Sequence, residues 1–243
     1  MNGSPTDQKL LQIVRAQPPT TIAEVIAVMQ NIERLLPNND GLKWFNHLYL
    51  MVTQEVNTHP PAGGFKNQTW LTRLDVVFAG LYFSAVGDFL SGAPNFPSSW
   101  KALFEARFRP KVDRIQFALA GMNAHINHDL ALALLEADKA LGVTPGLTSP
   151  EHDDFERVNG LLEAVLPASL KVLATGILGE LAQDTGKIGR FLAIWNVHVA
   201  RDLAWDFADH LHSLGGVRQT LALIAQDQLT GVIGRSLLLP VEI

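Results

Sequence analysis

The chain contains no cysteine. That absence removes disulfides, thiolate metal sites and cysteine nucleophiles together, and it leaves nitrogen and oxygen as the metal donors to look for. Charge is sparse as well. Charged residues make up 18% of the 243 residues, below the roughly one quarter of an average soluble protein. Nineteen Lys/Arg stand against 24 Asp/Glu, a net charge of −5, so nothing basic recommends nucleic acid or a strongly anionic membrane surface. Strand signals are nearly missing: there is no useful alternating β-branched run and no Asn-Gly hairpin between two such runs. The opening MNGSPTDQKLLQIV lacks a basic region followed by an apolar one, so no signal peptide is expected. Polar groups interrupt every apolar stretch within about 18 residues, so no membrane span is expected either. A cytoplasmic protein is the resulting expectation. Thr185-Gly186-Lys187 lacks the upstream glycine of a phosphate loop, and no Gly-x-Ser-x-Gly occurs.

Helix signals, by contrast, recur throughout. Hydrophobic residues reach 47%, enough for one sizeable core. Thr21 and Glu24 form a capping box for a helix to about Leu36, stopped by Pro37. Asp40 can cap a second helix through Val56. A third is expected from about Asn67 to Leu90, broken by Gly92 and Pro94, and a short fourth from Ser98 to Phe108. Pro110 suits the start of a long helix to Leu141, with Gly142 past its end. Another starts at Ser149-Pro150 and is expected to break at Pro167, one runs from Thr185 to Leu214, and a last one from Val217 to Ile233. The expectation is an all-α, single-domain bundle of eight or nine helices over 1–243, with 1–19 a loosely packed N-terminal segment. There is no internal repeat and no low-complexity tract.

Three polar clusters interrupt these apolar helices. His125, His128 and Asp129 sit between FALA and ALALL, and at about 100° per residue they share one face. Asn123, Asn127 and Gln116 point the other way, towards interhelical hydrogen bonds. His198 and Asp202 repeat the i,i+4 His–Asp spacing, with Arg201, Trp205 and Asp209 on the same face and Trp195 at its edge. Asp75 is surrounded on its face by Leu71, Phe78, Ala79, Tyr82 and Val86, where a carboxylate needs a cation, a metal or strong donors. Imidazole and carboxylate ligands without sulfur suit zinc, iron, manganese or magnesium. His125, Asp129, His198, Asp202 and Asp75 are therefore the candidate metal ligands. His128 is the candidate proton-transfer group, and Arg201 the candidate for gripping an anionic oxygen bidentately. The same residues have plainer readings. His198/Asp202 fits a solvated pair, the His125 cluster fits a structural polar layer, and Asp75 fits a partner of Arg107, Arg109 or Arg114. The aromatic residues Trp44, Tyr49 and Tyr82 read first as core, or as the lining of an apolar pocket.

FALAGMNAHINHDLALAL, with WFNHLYLMVT, RLDVVFAGLYFSAV and SWKALFEARF, resembles an uncharacterised bacterial family of helical proteins (domain-of-unknown-function family 5995), from about Trp44 to Trp205. A looser similarity is to zinc-dependent phospholipases C and related single-strand nucleases. These are all-helical and take metals on an aspartate, histidines and two His-x-x-x-Asp/Glu helices. Asp75, His125/Asp129 and His198/Asp202 occur here in a compatible order. The N-terminal tryptophan ligand and several histidines of those enzymes are missing, so the similarity implies one or two metals rather than three.

The leading expectation is thus a metal-dependent hydrolase of an ester or phosphoester. The alternatives are a metal-free biosynthetic enzyme with an apolar pocket, in which His128 with Asp129 does acid–base work, and a non-catalytic helical binding module. The expected partner is a small-molecule, apolar substrate. The apolar content also permits a homodimer.

Overall fold

Capping residues set the helix starts in the computed structural model, which describes residues 4–173 and 196–240. Ser4 opens α1 (Pro5–Val14). The Thr21/Glu24 capping box opens α2 (Ile22–Leu35), with Glu24 Oε2 accepting from the Thr20 and Thr21 amides. Asp40 caps α3 (Gly41–Thr58) and Asn67 caps α4 (Gln68–Ser91), which ends on Gly92 at φ +69°. Then come α5 (Ser98–Ala106), α6 (Arg114–Ala124), α7 (Leu130–Leu141), α8 (Pro150–Leu173), α9 (Val197–Ser213) and α10 (Gly216–Leu237). No strand occurs among the described residues, and the protein is an all-α, single-domain bundle.

Several boundaries differ from the sequence reading for physical reasons. Within the expected loose segment 1–19, α1 is anchored: Leu10 is fully buried, and Asp7 pairs with Arg107 at 2.9 Å. Ser98 does not cap α5. Asp227 of α10 does so from across the bundle, accepting from the Ser98 and Ser99 amides at 2.8 and 2.9 Å. The helix expected from Pro110 begins at Arg114, where Gln116 reaches back to the Asp113 amide. Pro167 does not break α8. It lies on the exposed side, where water can satisfy the carbonyl that it leaves unbonded. Thr185-Gly186-Lys187, Trp195 and the first part of the helix expected from Thr185 lie outside the described residues.

α4 is long and apolar enough, by length and composition, to cross a membrane. Its apolar residues Trp70, Leu71, Ala79, Tyr82 and Val86 are buried in the core. It packs against α7 and α1, while α3 packs on α6, α2 and α8 and α10 closes over α5 and α6.

Glycine lets α3 and α6 approach closely. A Cβ at Gly121 would stand 2.3 Å from Phe45, and one at Gly41 2.3 Å from Phe117. Gly121→Ala should therefore cost about 1–3 kcal/mol through overpacking, read as a lower midpoint in urea. An unchanged midpoint would mean that α3 and α6 separate freely. Polar side chains reinforce the other side of α6. Gln116 donates to the Leu237 and Leu239 carbonyls and Asn123 to the Thr230 carbonyl, while Gln226 donates to the Asn127 carbonyl. For Gln116 and Asn123 these are the interhelical bonds expected of that face; the Asn127 side chain instead donates to Asn123 Oδ1 one turn back.

Candidate active site

Between α6 and α7 the helix widens into one π turn, His125–Asp129, closed by the Leu130 amide bonding to the His125 carbonyl. Such turns carry an extra residue and recur at functional sites. Here the turn gathers three donors onto one carboxylate. Asp129 Oδ2 accepts from Trp100 Nε1 at 2.9 Å and from His125 Nδ1 at 2.9 Å, and Oδ1 accepts from His128 Nδ1 at 2.8 Å. Burial works against the Asp129 charge, but the two imidazoles outweigh it and hold the carboxyl below its ordinary range. An ionised carboxylate has no proton to give, so both Nδ1 atoms must carry hydrogen. The tautomers follow: Nε2 of neutral His125 is a bare lone pair.

That lone pair is buried and has no hydrogen-bond partner among the described residues. The ring carrying it cannot turn easily. Phe78 stacks on it at 3.5 Å and 6°, and Tyr49 meets it edge-on at 4.6 Å. Burial lowers the His125 pKa, against the pull of Asp129, so the ring favours its neutral, basic form.

His125 lines an inner cavity of about 50 Å³ together with Tyr49, Thr53, Asp75 and Arg201. Asp75 is partly buried. Its Oδ2 is sealed from solvent and unbonded, and burial raises its pKa to about 7 despite the field of Arg201. The cation that Asp75 senses is thus Arg201, not Arg107, Arg109 or Arg114. Arg107 is taken by Asp40 and Asp7, Arg109 by the Leu238 carbonyl, and Arg114 lies over Trp44.

Arg201 is 6% exposed and makes no ion pair among the described residues. Nε donates to Asn159 Oδ1 and Nη2 to the Phe155 carbonyl, both at 2.7 Å, and the guanidinium lies 4.0 Å above the Phe155 ring. Burial lowers its pKa to about 10, against the fields of Glu156, Asp75 and Asp202, so it remains a cation at neutral pH. The bidentate grip expected of it is not free, because two nitrogens are committed. Nη1 remains.

The five candidate metal ligands do not converge. His125 and Asp75 reach the inner cavity, but Asp129 lies behind the imidazoles and spends both oxygens on donors. His198 faces Glu163 at 3.3 Å, and Asp202 is exposed. No group of three or more His, Asp or Glu side chains suited to a metal exists among the described residues. His128 also departs from the role expected of it. Its Nε2 points to Asp227 at 3.7 Å rather than into the cavity. Burial opposes its charge, but Asp129 and Asp227 prevail and raise its pKa. Trp100 and Asn159, which hold Asp129 and Arg201, carried no signal in the sequence beyond being a tryptophan and an asparagine on amphipathic helices.

Beside the inner cavity lies an outer groove of about 230 Å³, with a mostly apolar wall that includes Leu48, Ile115, Leu119 and Leu173 and polar residues Glu163 and His198. The two spaces share Val52, Met122 and Leu162. The arrangement combines an oriented neutral imidazole, a carboxyl with its pKa raised to about 7 and a fixed cation beside an apolar groove.

No curated protein and no solved structure matches the chain. A family model described as "Family of unknown function (DUF5995)" matches residues 22–240, and the chain belongs to that family.

Proposed function

We propose that this protein is a metal-free acid–base enzyme acting on a small, largely apolar molecule. His125 is the base, Asp129 the group that fixes its tautomer, and Asp75 the second proton-carrying group. The observation that carries the reading is the buried, unpartnered His125 Nε2. Its Nδ1–H is held by a carboxylate, and its ring lines a cavity. A buried acceptor without a partner costs stability, and sites of function are where such costs persist. The shared wall with the outer groove supports an apolar substrate body beside the proton-transfer atoms.

The metal-dependent hydrolase is less well supported by the geometry. A metal in the inner cavity would find two of the five candidate ligands there, His125 and Asp75, where catalytic zinc sites use three protein ligands.

The test is a turnover screen on chelator-treated protein with soluble apolar esters, carbonyl compounds and alcohols. Activity that persists in chelator and falls about 10²–10⁴-fold in His125→Gln is expected. Activity that appears only on adding zinc or manganese would return the assignment to a metalloenzyme. Activity indifferent to His125→Gln would end the dyad's role.

A further inference from the structure

The turn before α6 gathers positive charge in a protein whose net charge is −5. From 107 to 114 the sequence reads Arg-Phe-Arg-Pro-Lys-Val-Asp-Arg. Arg107 pairs with Asp40 and Asp7. Arg109, Lys111 and Arg114 instead line one open cleft of about 410 Å³, together with Asn38, Asn39 and Trp44.

None of these three cations pairs with a carboxylate among the described residues. Arg109 donates to the Leu238 carbonyl at 3.3 Å and Arg114 to the Val172 carbonyl at 3.4 Å, its guanidinium 4.0 Å from the Trp44 ring. A carbonyl occupies one nitrogen and cancels no charge, so both guanidiniums keep donors free. The one carboxylate in the wall, Asp113, accepts from the Gln116 amide at the start of α6. Three cations less one carboxylate leave the wall with two positive charges in excess.

Lys111 supplies an independent observation. Its φ is +62°, and it is the one non-glycine residue with positive φ among the described residues. Directly after Pro110 in a turn, that position favours glycine. A lysine held there strains the backbone although its side chain is exposed and gains no burial. Strain of this kind collects at ligand clamps. Phe108, in the same wall, is 56% exposed, with the Arg107 guanidinium 4.8 Å from its ring. Much of its surface is open to the apolar part of a ligand.

We propose that this cleft binds a phosphate monoester, its phosphoryl group among Arg109, Lys111 and Arg114 and a small aromatic group against Phe108. Such a phosphoryl group carries nearly two negative charges and three acceptor oxygens, which match two excess charges and three cationic side chains. A carboxylate brings one charge and two oxygens. The cleft shares no residue with the inner cavity or the outer groove, so the assignment is independent of the acid–base reading.

The experiment titrates wild-type protein with phenyl phosphate, methyl phosphate and benzoate at pH 8 and low salt by calorimetry, while NMR follows the Trp44 indole N–H. Phenyl phosphate should bind about fivefold more tightly than either other probe, the upper end for one exposed charge pair, and shift the Trp44 signal. No binding of phenyl phosphate, or binding that leaves Trp44 unmoved, overturns the site. Equal binding of benzoate overturns the phosphate assignment, and equal binding of methyl phosphate removes Phe108 from it. Lys111→Gly tests the turn: it should unfold at higher urea than wild type and bind phenyl phosphate about fivefold more weakly. Unchanged affinity in that variant overturns the role of Lys111, and an unchanged or lower urea midpoint overturns the strain.

Discussion

Asp75→Asn is expected to make the protein more stable at pH 8 by on the order of 4 kcal/mol, and by about 0.5 kcal/mol at pH 4. The reason is the carboxyl's position at the inner cavity, where Oδ2 is sealed from solvent without a donor. Burial moves its pKa from the ordinary 3.8 to about 7. A carboxyl raised in the folded state binds its proton more tightly there than in the unfolded chain. Folding therefore carries no penalty below the unfolded pKa. The penalty grows as pH rises between about 4 and 7 and is complete above that. Asparagine mimics the protonated acid at every pH and removes the slope. Urea denaturation of both proteins from pH 4 to pH 8 measures the effect. Parallel curves would mean that Asp75 is ionised at no cost, and the buried-carboxyl account would be lost. A more stable but inactive Asp75→Asn protein is the pattern expected of a group kept for function at the expense of stability.

Asp129→Ala should act in the opposite direction, costing about 3–5 kcal/mol at neutral pH. Three donors lose their acceptor together: Trp100 Nε1, His125 Nδ1 and His128 Nδ1. Each buried donor left unpaired costs about 1–3 kcal/mol, and some of that returns if His128 turns towards Asp227. The Asp129 pKa lies below its ordinary value, so its contribution is present above the unfolded carboxyl's pKa and is lost as pH falls through the lower, folded value. The difference between wild type and Asp129→Ala should therefore shrink in acid, and it should also fall as pH rises above the ordinary histidine range, because Asp129 raises the His128 pKa and that contribution is lost as His128 deprotonates. With no carboxylate to hold Nδ1–H, His125 should also lose its single tautomer, visible as averaged ring-nitrogen shifts. A variant as stable as wild type, with the tautomer intact, would show that the π turn orients His125 without Asp129.

The helical class, the Thr21/Glu24 capping box, the stops at Pro37, Gly92 and Gly142, and the polarity of the Asn123/Asn127/Gln116 face could all be read directly from the sequence. These depend on residues within one or two helical turns of each other, and local capping and periodicity obey local rules. His125, Asp129, Asp75 and Arg201 also stood out, because a polar group on an apolar helix is anomalous wherever the helix packs. The partners of those groups, and hence their chemistry, came from elsewhere in the chain. Trp100 reaches Asp129 from α5, Phe78 covers His125 from α4, Asn159 holds Arg201 from α8, and Asp227 of α10 caps α5 beside His128. Helical spacing grouped His125, His128 and Asp129 as three ligands facing one point. The tertiary structure made Asp129 the acceptor between two imidazoles instead, left one Nε2 buried without a partner and turned the other towards Asp227. A helical face specifies which residues can meet. Which of their atoms remain free is decided by donors and rings from distant segments, and a buried group's protonation depends on how completely those segments exclude water.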